Sequence, residues 1–127
     1  MIAVIFEAEP SEQGRDAYLE HAARLAPILA QMEGFISIER FQSLVAPGKL
    51  LSLSFWRDEE SVRAWREHPE HRDTQRAGRA GVFTDYRLRV ASVARDYSLY
   101  DREQAPPFHP AVARESKSCP VLPPITL

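Results

Sequence analysis

The chain has 127 residues, 44% of them hydrophobic and 27% charged, which suits one soluble domain with a single core. Its net charge of −2 argues against nucleic-acid and anionic-membrane partners, both of which call for a positive excess. A single cysteine, Cys119, excludes an internal disulfide framework and a cysteine-based zinc site. No apolar run approaches the 18 residues or so of a membrane span. The first apolar run ends at Phe6 without a basic segment before it, so no signal peptide is read and a cytoplasmic location is expected.

Ile2 to Glu9 reads as a strand. It starts apolar on both faces, with Ile2, Val4 and Phe6 on one side and Ala3 and Ile5 on the other, so it is expected to be central. Ser11 is a candidate helix cap in the loop that follows. Arg15 to Met32 reads as an amphipathic helix, with Tyr18, Ala22, Leu25, Leu29 and Met32 on one stripe. Pro27 inside it predicts a kink near Ala23. Glu33-Gly34 ends the helix.

Phe35 to Leu44 is a second predicted strand, with Ile36 and Ile38 opposed to Phe35, Ser37, Glu39 and Phe41. Ala46-Pro47-Gly48 turns it into a third, Lys49 to Trp56, in which Leu51, Leu53 and Phe55 alternate with Ser52, Ser54 and Trp56. Asp58 caps a helix from Glu59 to Glu67, and Pro69 opens a further helical piece, Glu70 to Arg79. Val82 to Arg95 is the fourth strand, with Tyr86, Leu88 and Val90 opposed to Arg87, Arg89 and Ala91.

The order βαββαβ predicts an α+β, ferredoxin-like fold: a four-stranded antiparallel sheet with its helices on one face. The other face is also apolar, so a second copy is expected to cover it, sheet against sheet, in a dimeric α/β barrel. Composition changes near residue 104. Six of the ten prolines follow Ala105, and residues 104–127 read as an arm packing on the domain (residues 1–103) or on the partner subunit through Val121, Leu122, Ile125 and Leu127.

The element order, together with LLSLSFWRDEESVRAW, EHPEHR and DYRLRVASVARDY, resembles the antibiotic biosynthesis monooxygenase family over residues 1–103. That resemblance implies a small dimeric α/β barrel. Members of this kind include cofactor-free oxygenases acting on phenols or anthrones, and haem-degrading proteins; relatives of the fold isomerise or cyclise substrates. The haem-degrading branch carries a first-strand Asn, a Trp on the second helix and an iron-binding His. Trp65 matches the Trp. Gln75 stands where the His is expected, and the only polar residue of the first strand before Ala8 is Glu7. A neutral amide is a poor axial ligand, so haem is disfavoured and no cofactor is expected.

Each candidate residue also has a plainer reading. His71 reads as a helix-start residue or as a proton-transfer group, since neutral imidazole takes a phenolic proton near neutral pH. Trp65 reads as core or as the wall on which a flat substrate stacks. Tyr18, Phe55, Trp56, Gln75 and Tyr86 are the remaining expected pocket residues. His68 and His71 lack a third ligand, so no metal site is expected. Arg87 and Arg89, with Arg40 near them, read as ion-pair residues or as anchors for an acidic substrate group. The leading expectation is a cofactor-independent monooxygenase that oxidises a small planar aromatic molecule with O2, using His71 and Trp65. A non-catalytic small-molecule or haem binder and an isomerase or cyclase on the same fold are the alternatives.

Overall fold

The computed structural model describes residues 1–77 and 81–107, with the side chains of 73–75 and 77 left aside. The side chain expected at Gln75 and the apolar docking residues of the C-terminal arm therefore lie outside the described residues. The elements are β1 (Ile2–Pro10), α1 (Gly14–Ala30), β2 (Phe35–Gln42), β3 (Leu50–Trp56), α2 (Glu59–Glu67), α3 (Pro69–Ala77) and β4 (Phe83–Ser92). The strands form one antiparallel sheet in the order β2-β3-β1-β4, the expected ferredoxin-like arrangement. β1 is central, as its doubly apolar start requires.

Register divides the sheet into two faces, because paired residues point the same way. On one face three ranks cross the sheet: Arg40, Ser52, Phe6 and Leu88; then Ile38, Ser54, Val4 and Val90; then Phe35, Trp56, Ile2 and Ser92. The helices pack over its β1 and β3 part, while Leu88 and Val90 of β4 stay exposed. Its core joins Ile2 and Trp56 to Leu25 and Leu29 of α1 and to Val62 and Trp65 of α2. Trp56, at 1% exposure, is the largest fully buried side chain. Its burial sets the phase of β3: Leu50, Ser52 and Ser54 are buried with it, while Leu51, Leu53 and Phe55 lie half-buried on the opposite face.

Two local expectations are corrected. β2 does not alternate from its first residue, because its register shifts between Phe35 and Ser37. Phe35 then packs edge-on against Trp56, with ring centroids 5.4 Å apart; Ile38 joins the core and Ile36 is left exposed. Nor does the Ser11 side chain cap α1. Its hydroxyl donates to the Gly81 and Val82 carbonyls, each at 3.2 Å, and ties the loop to the approach of β4. The Ser11 carbonyl instead accepts from Gly14 and Arg15 N–H.

The start of α2 is built as expected. Asp58 accepts from the N–H of Ser61 at 2.8 Å and from its hydroxyl at 2.7 Å, satisfying an orphan helix donor. These bonds, with Arg57 beside it, hold the Asp58 carboxyl down at about 2. Gly34 locks this cap to the end of α1. Its φ is +84°, and a Cβ there would land on the Ser61 side chain, so only glycine fits. Its carbonyl accepts from Arg57 N–H at 2.7 Å. The chain thereby fixes where α2 crosses the sheet, and with it where Trp65 sits.

Met1–Val93 form one compact unit and the residues from Ala94 onward a second. Within the second, Asp101 N–H donates to the Ser98 hydroxyl at 3.0 Å, and the Arg102 guanidinium lies 5.1 Å from the Tyr97 ring centroid. Among the described residues no helix is long and apolar enough to cross a membrane.

Candidate functional site

Small side chains open a space between the helices and the sheet. Ser52 and Ser54 on β3 and Ala22 and Ala26 on α1 all line one cavity of about 390 Å3. That volume is at the lower end of small-molecule sites, about 300–1,000 Å3. Leu25, Leu29, Val4, Val62 and Ile38 make most of its wall apolar.

Aromatic rings form two groups in that wall. In one, Trp56 stacks on Trp65 at 6.5 Å, and Trp65 stacks on His71 at 4.8 Å with the planes 18° apart. In the other, Phe6, Tyr18, Phe83 and Tyr86 contact one another with centroids 5.4 to 6.5 Å apart. Such tilted and stacked pairs add packing energy and fix ring orientation. The Trp56 indole N–H donates to the Ser54 hydroxyl at 2.9 Å, so the one polar atom of this buried indole is satisfied.

His71 comes from the first turn of α3, which opens at Pro69, and its ring lies on Trp65. Its Nδ1 is buried and has no hydrogen-bond partner. Burial pushes the imidazole below its ordinary value of 6.5; contact with the Trp65 backbone opposes this, and the charges of Arg66 and His68 add to it. The ring is therefore neutral near pH 7, with one nitrogen uncommitted.

The cavity brings together His71, Trp65, Tyr18, Trp56 and Tyr86 of the expected residues. Phe55 is not among its lining. β3 turns it to the opposite face, beside Ala3 and Ser37, because Trp56 takes the buried phase. Gln75 lies on α3. Arg40 is separated from Arg87 and Arg89 by the sheet: it pairs in register with Ser52 on the cavity face, while Arg89 holds Glu7 at 3.4 Å on the other. Reading the sequence missed Ser52 and Ser54 as lining residues. The signal was present, since they share the parity of Trp56.

A ferredoxin-like sheet with an aromatic-walled cavity under its helices defines the class, a small α+β protein. Residues 1–77 match the antibiotic biosynthesis monooxygenase family, and the chain belongs to that family. It is 50% identical over 93 residues to a jasmonate monooxygenase of Pyricularia oryzae, covering 73% of this chain but 43% of that protein, so it spans less than half the length of this relative. It is 33% identical over 93 residues to YqjZ of Bacillus subtilis, covering 73% of this chain and 79% of that one. Among solved structures, Rv0793 of Mycobacterium tuberculosis superposes with a TM-score of 0.67 at 19% identity, over 76% of this chain and 98% of that one. SnoaB of Streptomyces nogalater, a cofactor-independent oxygenase, does so with 0.65 at 15% identity, over 75% and 94%.

Proposed function

We propose that the chain oxygenates a small planar aromatic substrate of phenol, quinol or anthrone type, without a cofactor. The observation that carries this reading is His71: a neutral imidazole with an uncommitted nitrogen, stacked in the wall of an apolar cavity. His71 takes a proton from the substrate and becomes imidazolium. The substrate anion passes one electron to O2, the radical pair joins as a peroxide anion at carbon, and the His71 proton passes to its outer oxygen to give a hydroperoxide. Loss of water, hydroxide from the broken O–O bond and the remaining proton from the same carbon, leaves a carbonyl. One oxygen atom ends in the product and one in water, and the substrate supplies every electron. The dry wall favours this course by keeping water from the anion. Trp65 holds the imidazole and, with Tyr18, Trp56 and Tyr86, offers flat surfaces to an aromatic body. SnoaB makes such chemistry admissible on this fold but does not assign it to this chain.

Haem, which the family resemblance raised, is disfavoured by these residues. β1 brings only Val4 and Phe6 to the cavity, since its Glu7 is held on the other face by Lys49 at 3.2 Å and Arg89 at 3.4 Å.

The test is O2 uptake by metal-free protein with a panel of phenols and an anthrone. One O2 consumed per substrate, unaffected by chelator, is the expected result. Ligand binding without uptake would replace this reading with a binding protein, and turnover under nitrogen would replace it with an isomerase or cyclase.

We also propose that a second copy covers the open sheet face. Ile5, Leu51, Leu53 and Phe55 lie there half-buried and paired in register, and among the described residues α1 and α2 pack on the opposite face. Apolar area of this kind is the driving term for association. Light scattering on the wild type should give twice the 14.4 kDa chain mass. Leu53→Asp buries a charge at the interface centre and should return the single-chain mass. A wild type that elutes as a monomer at micromolar concentration defeats the idea.

A further inference from the structure

We propose that the cavity selects an amphipathic carboxylic acid and anchors its carboxylate at Arg40, beside the Tyr18 hydroxyl. This deepens the oxygenase reading and rests on it for the fate of the ligand, but not for the anchor itself.

The charged residues in the cavity lining are Arg40 and Arg66; no aspartate or glutamate is among them. Neither arginine has a carboxylate partner among the described residues. Arg57 and Arg89, by contrast, are paired, the first with Glu33 and Asp58 and the second with Glu7. An apolar cavity with cations and no acid at its wall draws an anionic ligand. Arg40 is also held for the task. Its Nε–H donates to the Tyr18 hydroxyl oxygen at 3.2 Å, and its guanidinium carbon lies 5.7 Å from the Tyr18 ring centroid. That bond uses one donor. The terminal nitrogens remain as a planar fork matched to a carboxylate, and the phenolic proton of Tyr18 is left to donate as well. The buried Ser52 stands next to Arg40 in the same rank and adds a hydroxyl to this end.

The ranks set a length. Arg40 pairs with Ser52, whereas Trp56, whose ring leads through Trp65 to His71, lies four residues further along β3, about 13 Å at a rise of ~3.3 Å per residue. A ligand with its carboxylate at Arg40 thus presents the far end of its apolar body to Trp65 and His71. The acid group is a handle remote from the atom that reacts.

Both tryptophans of the chain line the cavity, so their fluorescence reports occupancy. Para-hydroxyphenylhexanoic acid and its methyl ester, titrated under nitrogen, share one body and differ in the charge. The wild type should bind the acid about 10-fold or more tightly than the ester, the range for a charge-assisted hydrogen bond. Arg40→Gln should erase that preference while leaving ester affinity in place; Arg40→Lys should keep part of it; Arg66→Gln should keep most. Equal binding of acid and ester by the wild type, or an acid preference that survives Arg40→Gln, overturns the anchor. O2 uptake is read separately. Acid preference without uptake sinks the oxygenase and keeps the anchor; uptake without acid preference does the reverse.

Discussion

Asparagine in place of His71 is expected to lower kcat about 10²–10⁴-fold, the usual contribution of a positioned proton-transfer group, while KM changes little. Asparagine keeps a polar group of similar reach but cannot take a proton near pH 7. The pH arm separates this role from a structural one. Burial holds the folded imidazole below 6.5, so the base form persists to lower pH than a free imidazole would. Wild-type kcat should therefore fall only below 6.5, and the variant's residual rate should lack that limb. Stability carries the same signature. As pH falls through 6.5 the unfolded chain takes a proton on this residue before the folded chain does. The unfolded state then binds more protons, and stability rises with pH across that window. The contribution is full above 6.5 and is lost between 6.5 and the lower folded value. Urea unfolding at pH 7.5 and 5.5 should show a steeper loss for the wild type than for His71→Asn. A kcat within threefold of wild type, with the acid limb intact, would remove His71 from the mechanism.

The parts of the fold that were legible in the sequence are those written in local signals. Asp58 marks the start of α2, Pro69 marks the start of α3, and their bounds or first residues are recovered directly. β1 was read as central because both its faces begin apolar, and it pairs with β3 and β4. The parts not legible depend on contacts between elements. Alternation along β3 gives two faces but does not say which one meets the helices. Phe55 and Trp56 are both large and apolar, and only the packing of Trp56 on Ile2, Phe35 and Trp65 decides. The same packing pulls Phe35 and Ile38 to one side through the irregularity in β2. The cavity was invisible for a related reason. It is made of what Ser52, Ser54, Ala22 and Ala26 do not fill, and small residues on two separate elements form no motif. Arg40 was seen as a cation, but its side of the sheet follows from register with Ser52.

That dependence makes Trp56 the position with the largest expected cost in stability. Trp56→Ala should destabilise the fold by about 3–5 kcal/mol, the range for removing a large aromatic from a core. Three losses add. The indole at 1% exposure leaves a void under α1 and α2; the ring contacts to Phe35 and Trp65 vanish; and the Ser54 hydroxyl loses its indole donor. Against a typical total of about 5–15 kcal/mol, such a loss leaves the chain near its folding limit, so Trp56→Phe is the informative companion. Phenylalanine keeps a ring against Trp65 and gives up the N–H bond and part of the volume, and it should cost less than half as much. Urea midpoints at constant slope measure both. The ligand-binding cavity should change even in the milder variant, because Trp65 and through it His71 rest on this ring. If Trp56→Ala costs under about 1 kcal/mol on a scale where core truncations reach several, the indole is not what sets the phase of β3. The reason for Ser52, Ser54 and Arg40 facing the helices would then have to be sought in the β2–β3 turn, where Lys49 N–H donates to the Ala46 carbonyl at 2.8 Å and Ser43 N–H to the Lys49 carbonyl at 3.0 Å.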